Sequence, residues 1–186
     1  MARRTPFALL AAGAVALWSG CRPLPPERNP PPALAAAAHV HLLDEAEGDA
    51  ARIAEVVVAR LNESRGPDER PVRLTIGGDP SPDAVVVAPG APPANASLVV
   101  TPWSGPAPPR TQVDPHLPAP LLAADARATL ALYDAVALAG LVARAPAPDR
   151  LSWLAAQPPL DLSFGPVSYA ASLTPQAGPS VTGPPR

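Results

Sequence analysis

The spacing of apolar positions separates two long helices from several short strands. Residues 44–66, DEAEGDAARIAEVVVARLNESRG, repeat an apolar residue every three or four positions, which predicts an amphipathic helix over 45–64. Asp44 and Glu47 have capping-box spacing at its start, and Gly66 with Pro67 ends it. The expected apolar stripe consists of Ala46, Ala50, Ile53, Val57 and Leu61.

Four short apolar runs predict strands that are buried on both faces. They are HVHLL at 39–43, VRLTI at 72–76, DAVVVA at 83–88 and SLVV at 97–100. A second helix is expected over 121–144, with an apolar face through Leu130, Tyr133, Ala137 and Leu141. A short third helix starts at Asp149 as N-cap, and LSFGPVSYA follows as an extended segment. The predicted class is α/β, with a mostly parallel sheet of four or five strands and helices packed on it.

The 30 prolines mark where folded structure stops. They crowd at 23–32, at 102–120 and at 175–185, and they are absent from the two predicted long helices. We therefore expect a signal peptide at 1–20, an extended tether at 21–38, one α/β domain at 39–171 and a disordered tail at 172–186.

The N-terminus predicts export and attachment to a lipid. A basic start is followed by an apolar run from Phe7 to Trp18, which is shorter than the ~20 residues needed to span a bilayer. Ser19, Gly20 and Cys21 then resemble the lipobox of bacterial lipoproteins, although Trp18 replaces the usual leucine. This resemblance implies that Cys21 carries a lipid and anchors the protein to the periplasmic face of a membrane.

Two alternatives stay open for this N-terminal region. The first is a soluble exported protein in which the thiol has no role, but its nearest small-residue cleavage site, at 36–38, lies far from the apolar run. The second concerns which membrane carries the anchor. Arg22, rather than an aspartate, follows Cys21, which favours the outer membrane if enterobacterial sorting rules apply.

Composition excludes several classes of function. Cys21 is the only cysteine, so the mature domain has neither a disulfide nor a thiolate metal site. The chain has 14 basic residues, all arginine, against 16 acidic residues, and no basic block that would bind nucleic acid. No glycine-rich phosphate loop follows a strand, and we expect no cofactor.

Two constellations of polar residues are weak candidates for chemistry. His39 and His41 share one side of a strand, and Asp44 or His116 could complete a metal site, but such a pair more often lies on a solvated face. Ser104, Asp114 and His116 are the residue types of a hydrolase triad, but they fall in one loop without a nucleophile elbow. We expect neither a metal site nor catalysis.

The order of the elements resembles that of a known family. Residues 48–90 are similar to the opening of the type I periplasmic binding proteins, the branched-chain amino acid receptors of ABC transporters, with an NESRG turn, a PVRL strand and a strand ending in Pro-Gly. LALYDAVALAGLVARA at 130–145 and the segment 149–170 resemble a late helix and the strand after it in that family. The resemblance implies a Rossmann-like lobe of a solute-binding protein.

The chain departs from this family in two places. The proline-rich segment 102–120 stands where the second lobe would be inserted, and only 77–82 replaces the helix expected between two strands. Because a parallel crossover normally takes a dozen or more residues, strands 72–76 and 83–88 are either an antiparallel pair or a strained remnant of the parallel order.

The resemblance also locates candidate ligand contacts after the third and fourth strands. The matching positions are Gly90, Thr101, Trp103 and Ser104, and each of them is also compatible with an ordinary turn. Two functions follow. One is a non-catalytic lipoprotein with a structural or protein-interaction role, and the other is a reduced solute-binding protein that delivers a small polar solute, such as an amino acid, to an ABC transporter. The expected partners are the membrane and either a transporter permease or another envelope protein.

Overall fold

The computed structural model describes residues 36–44, 48–91, 93, 96–106, 117, 119–146 and 149–183. The predicted signal peptide and tether, with Cys21, lie outside these residues. In chain order the elements are β1 (Ala38–Leu42), α1 (Asp49–Glu63), β2 (Val72–Ile76), β3 (Val85–Val87), β4 (Val99–Thr101), α2 (Ala119–Arg144), α3 (Arg150–Ala155), β5 (Leu160–Leu162), β6 (Gly165–Val167) and β7 (Ser180–Thr182).

A five-stranded mixed sheet organises the domain. Its strand order is β2-β1-β3-β4-β7; the first four strands run parallel, and β7 runs antiparallel to β4. β5 and β6 form a separate antiparallel hairpin. This arrangement confirms the predicted α/β class, a mostly parallel sheet in a single Rossmann-like lobe.

β2 and β3 do not pair with each other, so of the two alternatives for these strands the antiparallel pair is wrong and the parallel order holds. Both pair in parallel with β1, which lies between them, and the parallel order is retained. The connection from Gly77 to Ala84 must therefore cross β1 in eight residues, where a helix is the usual solution. Gly77 and Gly78 both have positive φ, 69° and 72°, which lets the chain reverse sharply as β2 ends.

The two faces of the sheet are covered differently. Alternate residues of β1, Ala38, Val40 and Leu42, join one large apolar cluster to which all three described helices contribute. On the opposite face, Val86, Ala88 and Val99 form a small separate cluster. His39 and His41 project to this second face, which carries no helix among the described residues.

Helix α1 begins later than its sequence suggests. Its N-cap is Gly48, without a side-chain capping bond, so the proposed cap at Asp44 is wrong. The predicted stripe is confirmed in that Ile53 and Val57 are buried. In the last turn of the helix, Asn62 exchanges two hydrogen bonds with the backbone of Val72, at 2.8 and 2.9 Å, and so fixes the entry to β2.

From Thr129 onward helix α2 is buried almost all round, and most of the predicted apolar face was misplaced, since Leu130 is its one buried member. Tyr133, Ala137 and Leu141 are its partly exposed positions, whereas neighbours such as Leu138 and Val142 are fully buried. Among the described residues, α2 alone is long and apolar enough to span a membrane, and 67% of its most apolar window is buried inside the domain. Burial of this kind is typical of a central core helix.

Asp125 divides α2 into two parts. Its backbone leaves the helical region, with φ −155° and ψ 90°, and its carboxylate accepts a hydrogen bond from the Ala128 N–H at 2.9 Å. This is the geometry of an N-cap, so the helix effectively restarts at this residue.

The segment after residue 172 is folded, so the prediction of a disordered tail from 172 is wrong for its described part. β7 pairs with β4 and buries Val181, and the Tyr169 hydroxyl donates to the Pro179 carbonyl at 2.9 Å. The expected extended segment LSFGPVSYA is instead the β5–β6 hairpin followed by Tyr169. The sequence did not reveal β7, because a strand of three residues between glycines and prolines is too short to show periodicity.

Candidate functional site

A cavity of about 390 Å³ lies at the carboxyl edge of the parallel strands. β1 has β2 as its neighbour on one side and β3 on the other. The strand order therefore changes direction at β1. In open α/β sheets, this topological switch point is the usual position of a ligand site. The lining residues that carry functional groups are Asp44, Trp103, Ser104, Asp125 and Arg127.

Trp103 forms a fixed wall of this cavity. Its ring packs against Phe164, with centroids 4.9 Å apart and a tilt of 56°, and its Nε1 donates to the Gln176 carbonyl at 3.1 Å. Gly105 follows so closely that a Cβ there would approach the ring to 2.6 Å. The tryptophan is thus held in one orientation, and the glycine makes room for it.

The charged groups of the cavity come from three elements. Asp44 follows β1, and Asp125 and Arg127 stand at the restart of α2. The Arg127 guanidinium donates a hydrogen bond to the Ser104 carbonyl and so ties α2 to the segment after β4. Two carboxylates, one guanidinium and a hydroxyl beside an indole suit a small polar solute that carries charge of either sign.

Two of the four predicted contacts line the cavity. Trp103 and Ser104 do, whereas Thr101 ends β4 and pairs with Ser180, and Gly90 lies exposed in the turn beyond Pro89. The sequence analysis missed Asp125 and Arg127. The available signal was the polar stretch Asp125–Arg127, which interrupts a run of apolar helical residues.

A buried carboxylate holds the hairpin behind Trp103. Asp134 of α2 is 1% exposed, and it accepts hydrogen bonds from the Ser163 N–H at 3.0 Å and from the Ser163 hydroxyl at 2.7 Å. Burial raises the pKa of Asp134 to about 6, and these hydrogen bonds oppose the rise. Burial also raises the pKa of the Tyr169 phenol, and the Asp134 charge adds to that effect. Asp134 thereby positions the turn that presents Phe164 to Trp103.

The two histidines do not belong to a metal site in the described structure. His39 and His41 contact the same hydroxyl, that of Thr75, at 3.0 and 2.8 Å. In the part of the chain that is described, no group of three or more His, Cys, Asp or Glu residues is placed to bind a metal ion. His116, and Asp114 of the suggested triad, lie outside that part.

Comparison with known proteins gives no relative for this chain: no protein family, no curated protein and no solved structure matches it.

Proposed function

We propose that the protein is a non-catalytic, lipid-anchored envelope protein whose domain is a reduced solute-binding lobe with a structural or protein-interaction role. The observation that carries this proposal is the one-sided cavity at the carboxyl edge. Every lining residue belongs to the same lobe, and only the 17 residues 102–118 connect β4 to α2. A connection of that length is too short to build an opposing lobe.

An open cavity of this kind suits a protruding group of a partner better than a free solute. In a two-lobed receptor the ligand is buried by closure, and its desolvation is offset by polar contacts from both sides. Here the residues that the structure describes leave the cavity open on one side, so water keeps access to a bound molecule. A protein partner would supply the missing cover itself, and the rigid Trp103 face offers an apolar anchor for it.

Site-specific photocrosslinking in the native envelope tests this proposal. A photoreactive residue at Ser104, on the exposed cavity rim, is expected to form a discrete protein adduct. The matched control is the same residue at Arg73, an exposed position on the opposite face of the sheet, which should give no such adduct. The interaction proposal fails if the photoreactive residue gives no adduct at either position. It fails also if both positions give the same adduct.

The second candidate, a reduced solute-binding protein, is favoured by the mixed charge of the cavity. Calorimetric titration with a panel of amino acids and small amides distinguishes it from the first. We expect dissociation constants weaker than about 0.1 mM, or about 5.5 kcal/mol of binding free energy, because the site is covered on one side only. A micromolar constant that is lost in Arg127→Ala would establish solute binding instead.

The lipid anchor has a separate test. Metabolic labelling with a palmitate analogue should mark the wild-type protein and leave Cys21→Ala unmarked, because Cys21 is the only residue in the chain that a lipobox could modify. Equal labelling of the two proteins would reject the anchor and favour the soluble exported alternative.

A further inference from the structure

A chain of hydrogen bonds spans the second face of the sheet, where no described helix lies. Ser81 in the 77–84 loop donates to Asp83 Oδ1 at 2.8 Å and contacts His39 Nδ1 at 2.7 Å. From there the chain passes through Thr75 to His41. We call the side chains of Asp83, Ser81, His39, Thr75 and His41 the polar relay. The relay joins β1, β2 and the loop that crosses them.

The charge of Asp83 fixes the direction of the first two bonds of the relay, and for an uncharged His39 the directions of the other two follow. A carboxylate can only accept, so the single Ser81 proton points to Asp83 and His39 must donate through Nδ1–H. Neutral His39 then accepts from Thr75 through Nε2. Since the Thr75 proton is used there, His41 donates to Thr75 through Nδ1–H. Each hydroxyl serves once as donor and once as acceptor, and both imidazoles are neutral.

His41 is the buried end of the relay. The residue is 2% exposed, and its Nε2, left as a bare lone pair by this assignment, is buried with no hydrogen-bond partner in the described structure. A second proton on this ring would add a charged N–H at the buried end. The closed arrangement therefore accommodates the neutral ring and resists the charged one.

We propose that the 77–84 loop is an acid-released latch, which stays closed over the sheet while His41 is neutral and opens when His41 takes up a proton. The loop takes the place of a crossover helix. At its start the Gly77 N–H donates to the Leu42 carbonyl of β1 at 3.0 Å, and near its end Ser97 and Arg150 donate to the Pro82 and Asp83 carbonyls. Between these points, within the described structure, the Ser81 contact of the relay holds the middle of the loop to β1. Opening it would leave the helical face of the sheet intact.

The groups around His41 come from each neighbouring element. Burial is the largest effect on the pKa of His41 and lowers it, and the nearby His39 acts in the same direction. The Gly78 backbone and the Asp79 carboxylate, both in the loop, raise the pKa. The net result is a lowered pKa of His41. β3 presents only the apolar Val86 beside it. β2 contributes exposed Arg73, the register partner of His39.

The Asp83 end of the relay stays ionised while His41 titrates. Hydrogen bonding from Ser81 is the largest effect that lowers the pKa of Asp83 below its usual value, and Arg150 of α3, which donates to the Asp83 carbonyl at 2.9 Å, acts in the same direction. Acidification from pH 7.5 to 5.5 therefore passes the ordinary histidine value of 6.5, which applies to His41 in the open state, without reaching the carboxylate that orients the relay.

The sign of the pH dependence follows from the lowered pKa of His41. In the open state His41 meets water and titrates near its ordinary value of 6.5, whereas the closed state binds the proton more weakly. The latch is therefore fully stable above about pH 6.5 and loses stability as the pH falls. The ratio of open to closed loops should rise by up to about tenfold per pH unit until His41 titrates in the closed state as well.

Amide hydrogen exchange of the full-length protein tests the latch. Protection of amides in 77–84, corrected for intrinsic exchange, should fall at least severalfold between pH 7.5 and 5.5, while amides in the second part of α2 keep theirs. His41→Asn retains a donor in place of Nδ1–H and cannot titrate, so its loop should stay protected at both pH values. Ser81→Ala removes the hydroxyl that joins the loop to His39, so the loop of this variant should be less protected than that of the wild type at both pH values.

Equal protection of the wild-type loop at the two pH values would overturn the proposal, and so would an undiminished acid response in His41→Asn. If that variant does not fold, the imidazole titration of wild-type His41 by NMR decides the question without a substitution. A His41 midpoint at or above 6.5, or one unaccompanied by shifts in the 77–84 amides, would also reject the latch.

Discussion

The two faces of the central sheet are covered by different kinds of interaction, apolar packing on one and hydrogen bonds between polar side chains on the other. The helical face buries the aliphatic side chains of β1, β3 and β4 against α1 and α2. The second face is crossed by an eight-residue loop that is tied down by five polar side chains. Apolar burial is non-directional and does not depend on pH, whereas a polar relay needs matched donors and acceptors in fixed protonation states. The comparison shows how a parallel order can be built without a crossover helix between β2 and β3.

The largest effect is expected on the helical face. Leu138 of α2 has no exposed surface and belongs to the main apolar cluster. Leu138→Ala removes buried methyl groups and leaves a cavity, which costs roughly 2–5 kcal/mol of unfolding free energy. Urea denaturation measures this loss, which should be the same at pH 5.5 and 7.5. A cost below about 1 kcal/mol would show that this face is not the main source of stability.

The second effect is the titration of Asp134, the buried carboxylate on the helical face. Its pKa is raised from 3.8 to about 6, so the folded state holds the proton more tightly than the unfolded chain does. The resulting stability is present at low pH and is lost as the pH rises from about 4 to above 6, a change of about 3 kcal/mol. Asp134→Asn should abolish this part of the pH dependence, and the difference between the two urea profiles from pH 4 to 7.5 measures it.

A pH profile of Asp134→Asn that parallels the wild type would contradict this assignment. Ser163→Ala is the matched control, since it removes the hydroxyl bond to the carboxylate but leaves the titrating group in place. Its profile should keep the dependence, with the midpoint moved upward because one interaction that favours the ionised form is gone.

The smallest of these three effects is expected on the second face. Thr75→Val keeps the shape of the side chain but removes the hydroxyl that joins both imidazoles. The loss of two hydrogen bonds between partly buried groups should cost about 1–2 kcal/mol. Urea denaturation at pH 7.5 measures it. A neutral or stabilising result would show that the relay does not hold the loop.

The sequence predicted the parts of this fold that repeat a pattern. The strands from β1 to β4 and both long helices carry enough apolar residues for their type to be recognised. The expected burial on both faces is wrong for β2, which lies at the edge of the sheet and has Val72 as its one buried residue. The α2 face was misplaced because alanine and leucine surround the whole helix, so periodicity could not identify one side. β7 was missed because three residues have no period, and its pairing with β4 depends on a partner about 80 residues away.

Part of the cavity lining could also be predicted from the sequence, namely the residues that directly follow a recognisable strand. Trp103 and Ser104 follow β4 directly, so their position at the carboxyl edge is a consequence of strand order. Arg127 reaches the cavity only because α2 restarts at Asp125, a break that local propensity does not reveal. The relay was invisible in the sequence, since Ser81 meets His39 across 42 residues. Long-range polar pairs of this kind are determined by tertiary contact and not by local pattern.

The most direct test of the difference between the faces is a double-mutant cycle across the relay. Thr75→Val and Ser81→Ala, alone and combined, are measured by urea denaturation at pH 7.5. The two residues do not touch in the relay and act on each other through His39, so we predict a coupling energy of about 1 kcal/mol, because the first substitution already releases most of what the second would break. If the two costs add to within about 0.3 kcal/mol, the relay is not a unit and the second face is held in some other way.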